Sequence, residues 1–136
     1  MKYGADTSVL LRVLTGQPQP LASVVRTRLE SLWLDGAVVD VCDLVVSETY
    51  FALQHSYRLS KQSALYAIEK LSVHPGFRLS RQVVAALQTP NLPKASPGFL
   101  DRVIHETYTA DAESLVLTCE KDARRLVHVE VIKTPS

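Results

Sequence analysis

Apolar residues recur along this chain in two patterns, and each pattern predicts a different element. Apolar positions three and four residues apart share one face of a helix. They predict helices at residues 9–14, 21–34, 44–57, 61–71, 81–87, 97–108 and 120–126. Ser60 and Ser96 fit as N-caps of the helices that start near residues 61 and 97. Short apolar runs predict strands at residues 1–5, 37–39, 77–79, 114–118 and 128–132. Strands thus alternate with helices or helix pairs, which predicts an α/β fold around a parallel sheet with helices on both faces.

Composition and charge narrow the class of protein. The chain has 136 residues, of which 46% are hydrophobic and 21% charged, as expected of one globular domain over residues 1–136. A net charge of +1 predicts no global attraction to nucleic acid, although a local basic patch stays open. We see no apolar run of membrane-spanning length and no signal peptide, so we expect a cytoplasmic protein with no membrane partner. Cys42 and Cys119 stand in apolar surroundings and are expected to be buried, reduced thiols.

Asp6 stands directly after the first predicted strand, which we expect to be buried. In an open α/β sheet, ligands bind just beyond the carboxyl ends of the strands, so this carboxylate is placed to face a ligand. Asp, Thr and Ser are also preferred N-cap residues, and the stretch taken alone favours Asp6 as no more than the start of the first helix. Both interpretations stay open from the sequence alone.

Glu48 is the acid that fits a simple fold least well. The residues three and four positions away are apolar: Leu44, Val45, Phe51 and Ala52. Glu48 is therefore expected within the core-facing stripe of its helix, and a buried carboxylate is costly unless it is paired or binds a metal. The alternatives are a position at the edge of the stripe or an ion pair with Arg12 or Arg102.

Two further acids follow predicted boundaries. Asp101 lies in the first turn of its helix, where an acid also compensates the helix dipole. Glu120 and Asp122 come just after the clearest strand, where N-capping is the alternative explanation. Parallel strands bring their carboxyl ends to one edge, and carboxylates gathered there repel one another unless a cation neutralises them. Oxygen ligands suit Mg²⁺ or Mn²⁺, so the pattern predicts one such site.

Four short motifs in this order resemble the PIN-domain family, and within it the VapC-type toxin ribonucleases of bacterial toxin–antitoxin pairs. The motifs are Ala5-Asp6-Thr7-Ser8, Val46-Ser47-Glu48-Thr49, Phe99-Leu100-Asp101 and Leu117-Thr118-Cys119-Glu120-Lys121-Asp122, followed by the apolar Val129-Glu130-Val131-Ile132. The resemblance covers nearly the whole chain. It departs at the fourth motif, which in the family usually reads Thr-x-Asp. Glu120 is one methylene longer than that Asp, and Asp122 could substitute for it or assist it.

The resemblance implies a three-layer α/β/α fold with a central, mostly parallel sheet of four to five strands, and a metal-dependent endoribonuclease. Asp6 and Asp101 would hold Mg²⁺ or Mn²⁺, with Glu48 and Glu120 completing the site. The supporting residues would be Thr7 and Ser8, which could orient a water or a carboxylate, together with Thr118 and Asp122. The resemblance also implies a homodimer held inactive by a cognate antitoxin protein.

Basic residues beside these motifs are candidates for contacts with RNA phosphates. They are Arg12, Arg102, Lys121 and Arg124, with Arg125 next to them. For any one of them a solvated helix face is the simpler explanation. Phosphate contacts would make binding salt-dependent.

Other functions remain possible at this level. One is a PIN-like nuclease for RNA processing or for DNA, and another is a catalytically weakened PIN-fold binding module. A domain that binds a small phosphorylated ligand ranks last, because the chain has no glycine-rich phosphate loop.

Overall fold

The computed structural model describes residues 1–135, in which six α-helices and five short parallel strands alternate. The helices are α1 (Thr7–Thr15), α2 (Leu21–Leu34), α3 (Asp43–His55), α4 (Lys61–Val73), α5 (Arg81–Leu87) and α6 (Phe99–Thr109). The strands are β1 (Tyr3–Gly4), β2 (Val39–Asp40), β3 (Phe77–Arg78), β4 (Val116–Thr118) and β5 (Val129–Val131). Two 3₁₀ helices span Leu92–Lys94 and Lys121–Arg125. The predicted α/β class is confirmed.

The strands form two separate parallel sheets. The first has the order β1-β2-β3, with Tyr3 opposite Val39 and Val39 opposite Phe77. The second pairs β4 with β5, with Val116 opposite Val129. The predicted single sheet of four to five strands is therefore wrong, because within residues 1–135 β4 forms its ladder with β5 alone.

Close contacts along the chain define two compact units, residues 1–80 and a second unit that begins at Arg81. In the first unit α1 packs against α2 and α3, and α3 packs against α4. Its most deeply buried side chains include Leu10, Val46, Leu53 and Ile68. In the second unit α5 packs against α6, and Val83, Phe99, Val103 and Ala123 are buried.

Local capping explains where several helices begin and end. The Asp6 carboxylate accepts a hydrogen bond from the Val9 amide at the start of α1, and Gly16 ends that helix in a left-handed conformation. The Ser60 hydroxyl accepts from the Ser63 amide at the start of α4, as the sequence predicted. Ser96, however, is not the cap of α6. That helix begins after Gly98 without a side-chain cap.

Three expectations about burial and environment are resolved by the structure. Cys42 and Cys119 are both exposed, so the prediction of buried thiols is wrong. Cys42 directly precedes α3 and Cys119 directly follows β4, and chain at such ends reaches the surface even where the sequence around it is apolar. The first strand is not buried either, because β1 is an edge strand. No helix within residues 1–135 has the length and apolar character needed to span a membrane.

Candidate functional site

Asp6 lies just beyond the carboxyl end of β1 and is held there by its own helix. Its Oδ1 accepts hydrogen bonds from the Ser8 hydroxyl at 2.6 Å and from the Val9 amide at 3.2 Å. These two bonds, the Ser8 hydroxyl first, lower the pKa of the Asp6 carboxyl, and the charge of Arg12 adds to the effect. Asp6 is therefore an N-cap, and it is also an exposed carboxylate that stays ionised at neutral pH.

Glu48 is linked to the first motif through Thr7. The Thr7 hydroxyl donates a hydrogen bond of 3.2 Å to Glu48 Oε1 across a sequence separation of 41 residues. Thr7 is the residue next to Asp6, so two of the four predicted motifs meet at the amino end of α1. The structure thus places Glu48 in contact with the residue that follows Asp6 in the chain.

The predicted core-facing position of Glu48 is wrong. Helix α3 buries a different face, formed by Val45, Val46, Thr49, Tyr50 and Leu53. Glu48 is exposed, and it shares its face with Leu44 and Phe51, which are 73% and 60% exposed. Apolar residues occur on both faces of α3, so spacing alone selected the wrong one.

The alternative ion pair of Glu48 with an arginine is also not observed within residues 1–135. Arg12 Nη1 donates to the Ser8 carbonyl at 3.3 Å, and its buried Nε has no hydrogen-bond partner among the described residues. Arg102 Nε donates to the Pro97 carbonyl at 2.7 Å. Each of these two arginines thus donates one hydrogen bond to a backbone carbonyl, and its contact with an RNA phosphate stays a prediction.

Two acids that sequence reasoning missed lie at the carboxyl end of β2. Asp40 accepts a hydrogen bond of 2.6 Å from Arg78 Nε on the neighbouring strand β3, and this bond lowers the pKa of the Asp40 carboxyl. Asp43 accepts a hydrogen bond of 2.6 Å from the Ser80 hydroxyl. The sequence could have indicated these two acids, because both follow the strand predicted at residues 37–39, just as Asp6 follows the first predicted strand.

In the second unit, three of the predicted acids line one pocket. Asp101, Glu120 and Asp122 surround a pocket of about 150 Å³, together with Thr118 and the buried His105. Its rim is built by α6, by β4 and by the 3₁₀ helix Lys121–Arg125. Asp101 and Glu120, two of the four acids of the predicted site, thus line one pocket of the second unit.

Hydrogen bonds fix the pocket's backbone and one of its acids. The Glu120 amide donates to Thr118 Oγ1 at 3.0 Å, so the Thr118 hydroxyl orders the turn that carries Glu120. The Ser96 hydroxyl donates a hydrogen bond to the Asp122 carboxylate. The His105 Nε2 donates to the Val127 carbonyl at 2.6 Å, which holds α6 against the segment before β5. Glu120 and Asp101 themselves are exposed.

The chemistry of these groups fits a hard divalent cation. Asp6, Glu48 and Thr7 offer carboxylate and hydroxyl oxygens in the first unit, and Asp101 and Glu120 offer carboxylate oxygens in the second. Among the side chains of residues 1–135, no three Asp, Glu, His or Cys are grouped as a metal-binding set. The shared four-carboxylate site accordingly stays a prediction.

Comparison with known proteins adds no family assignment. No protein-family model matches the chain, and no curated protein matches it significantly.

Proposed function

We propose that this protein is a metal-dependent endoribonuclease with a PIN-like α/β/α fold, acting as the toxin of a type II toxin–antitoxin pair in the cytoplasm. The observation that carries the proposal is the contact between Thr7 and Glu48. It joins the first and second acidic motifs at the carboxyl edge of a parallel sheet, where ligands of α/β proteins bind. The pocket lined by Asp101 and Glu120 supports the proposal from the third and fourth motifs.

Asp6, Glu48, Asp101 and Glu120 are the proposed metal-ligating carboxylates. The Ser8 hydroxyl holds Asp6 in its ionised form, and the Thr7 hydroxyl orients Glu48. Thr118 orders the turn of Glu120 through its hydrogen bond to the backbone. These side chains bind and orient ligands, and none of them acts as a nucleophile.

Bound Mg²⁺ or Mn²⁺ would lower the pKa of an attacking water and stabilise negative charge on the phosphoryl oxygens of RNA. Asp122 is the proposed supporting acid at the fourth motif. Its hydrogen bond with Ser96 fixes its carboxylate at the pocket that Glu120 also lines.

A homodimer and a cognate antitoxin are part of the proposal. The exposed apolar face of α3, formed by Leu44 and Phe51, supports a protein contact on the first unit. The ionised carboxylates support an antitoxin segment that reaches them with a basic side chain.

The decisive experiment uses Asp6→Asn, which keeps the size of the side chain and removes its charge. We expect wild-type protein to cleave RNA only with Mg²⁺ or Mn²⁺, and Asp6→Asn to lose this activity while keeping its circular dichroism spectrum. Asp35→Asn is the matched control. Asp35 is an exposed acid at the carboxyl end of α2, away from the predicted motifs in sequence, so this variant should retain full activity. Metal-dependent cleavage by a clean preparation of Asp6→Asn at the wild-type rate would refute the mechanism.

The same protein distinguishes the nuclease from a weakened binding module. A ligand present at about 100 times its Kd stabilises the folded state by roughly 2.7 kcal/mol, which is easily measured as a rise in Tm. We expect Mn²⁺ to raise the Tm of the wild type and to raise that of Asp6→Asn less. A wild-type protein that neither responds to Mn²⁺ nor cleaves RNA would instead be a binding module.

A further inference from the structure

Three basic side chains surround a second pocket in the unit that begins at Arg81. Lys121, Arg124 and Lys133 line a pocket of about 280 Å³, and Val131 of β5 completes its described lining. Lys121 and Lys133 also line an adjoining pocket of about 650 Å³, which includes Cys119. All three basic residues are exposed. Of these, Lys133 was not among the residues that the sequence singled out.

The 3₁₀ geometry explains why two of these cations point the same way. A 3₁₀ helix has three residues per turn, so residues three apart lie above one another. Lys121 and Arg124 are related in this way in the helix Lys121–Arg125 and line the basic pocket. Glu120 and Ala123 have the same spacing and line the acidic pocket instead. One short helix therefore separates a carboxylate pocket from a basic one.

Within residues 1–135, none of these three cations has a carboxylate partner, whereas two other basic residues do. Arg78 pairs with Asp40, and Arg81 pairs with Glu106. Arg125, the next residue after Arg124, donates to the Ser96 carbonyl. Like charges around one pocket repel one another, and an anion bound there relieves that repulsion.

We infer that the pocket of Lys121, Arg124 and Lys133 binds a backbone phosphate of single-stranded RNA. The identity of the ligand rests on the proposed function, because the neighbouring carboxylates are the proposed cleavage groups. The carboxylates by themselves repel a polyanion, so a substrate strand needs cations beside them. The basic pocket supplies such cations, and one of them, Lys121, directly follows Glu120 in the chain. Arg12 and Arg102, which bind backbone carbonyls, are not part of this site.

The first test measures RNA binding without cleavage. A fluorescent single-stranded RNA is titrated with protein in EDTA, and its anisotropy is followed at several salt concentrations. The triple variant Lys121→Ala, Arg124→Ala, Lys133→Ala should bind about tenfold more weakly at low salt. The slope of log K against log salt should also flatten by about 0.7, the contribution of one phosphate contact of a single strand.

A matched control removes three exposed cations from elsewhere in the chain. The variant Arg28→Ala, Lys61→Ala, Lys94→Ala makes the same change in net charge, and it should keep both the affinity and the salt slope. Equal binding by the two triple variants would overturn the inference. Because no metal or cleavage is involved, a failure of the proposed nuclease activity would leave this result intact.

The second test uses the wild-type chain and so does not depend on the folding of a variant. The exposed thiol of Cys119 lines the pocket that adjoins the three cations, whereas the exposed Cys42 belongs to the first unit. Saturating RNA in EDTA should slow the alkylation of Cys119 by iodoacetamide several-fold. The alkylation rate of Cys42 should stay unchanged, so that Cys42 serves as the internal reference. Equal rates for Cys119 with and without RNA would contradict the inference.

Discussion

Gly76 lies beneath the indole of Trp33, and we expect Gly76→Ala to destabilise the first unit. A Cβ atom at Gly76 would stand 2.3 Å from both Cε2 and Nε1 of Trp33, about 1 Å closer than ordinary contact. The backbone cannot retreat freely, because the Gly76 carbonyl accepts from the Val39 amide at 2.8 Å. The Trp33 ring must therefore move, although its Nε1 donates to the same carbonyl at 2.9 Å.

The expected loss follows from these contacts. Overpacking a well-filled site costs about 1–3 kcal/mol. Losing the hydrogen bond of the Trp33 indole adds about 1 kcal/mol. The ring also has an edge-to-face contact with Phe77 at 5.4 Å, which moving it would weaken. We expect a total of about 2–4 kcal/mol, which at an m value of about 2 kcal/mol/M lowers the urea midpoint by about 1–2 M.

Urea unfolding followed by circular dichroism measures this loss, and Gly4→Ala is the matched control. A Cβ at Gly4 meets only the Asp40 carbonyl oxygen, at 3.8 Å, so that variant should keep the wild-type midpoint. A double-mutant cycle then tests the cause. In a Trp33→Ala background, Gly76→Ala should cost little, because its steric partner is gone. An undiminished cost in that background would refute the steric explanation.

Three further predictions concern single side chains. Ser8→Ala should raise the pKa of Asp6 toward 3.8, because the Ser8 hydroxyl is the largest cause of its lowering, and carboxyl ¹³C titration by NMR tests this. Arg78→Met should likewise raise the pKa of Asp40. Since the folded pKa lies below 3.8, any stability from this pair is present above pH 3.8 and is lost as the pH falls through the folded pKa, so variant and wild type should converge in acid. Thr49→Val should increase the free energy of unfolding by about 1 kcal/mol and so raise the urea midpoint, because the fully buried Thr49 hydroxyl has no hydrogen-bond partner among residues 1–135; a lowered midpoint would contradict this reasoning.

Helices were predictable from the sequence because their signals are local. The predicted bounds of α2, residues 21–34, agree with the structure at both ends. Ser60 was correctly predicted as a cap, since a cap depends on residues within one turn. The strands were located to within a few residues, but their partners were not. Whether β4 joins the first sheet or pairs with β5 alone depends on contacts between residues far apart in the sequence, and no local pattern predicts such contacts.

The candidate site was predictable to a similar extent and for a similar reason. The positions of Asp6 and Glu120 follow from strand ends, which are local features. The exposure of Glu48 does not, because α3 has apolar residues on two faces and only its packing partners decide which face is buried. Lys133 was missed because its approach to Lys121 depends on how β5 lies beside the 3₁₀ helix.

The exposure of Glu48 changes the physical argument for its role. A buried carboxylate would need a partner to offset its desolvation, but an exposed one incurs no such cost, so burial gives no reason to expect a metal there. The remaining argument for a role of Glu48 is its position beside Thr7. Helix α1 packs against α3 through a core that includes Leu10 and Val46, and this packing sets Thr7 within hydrogen-bond distance of Glu48. The pairing of the first two motifs thus rests on tertiary contacts beneath the site, and a core substitution such as Leu10→Ala should disturb it without touching either acid.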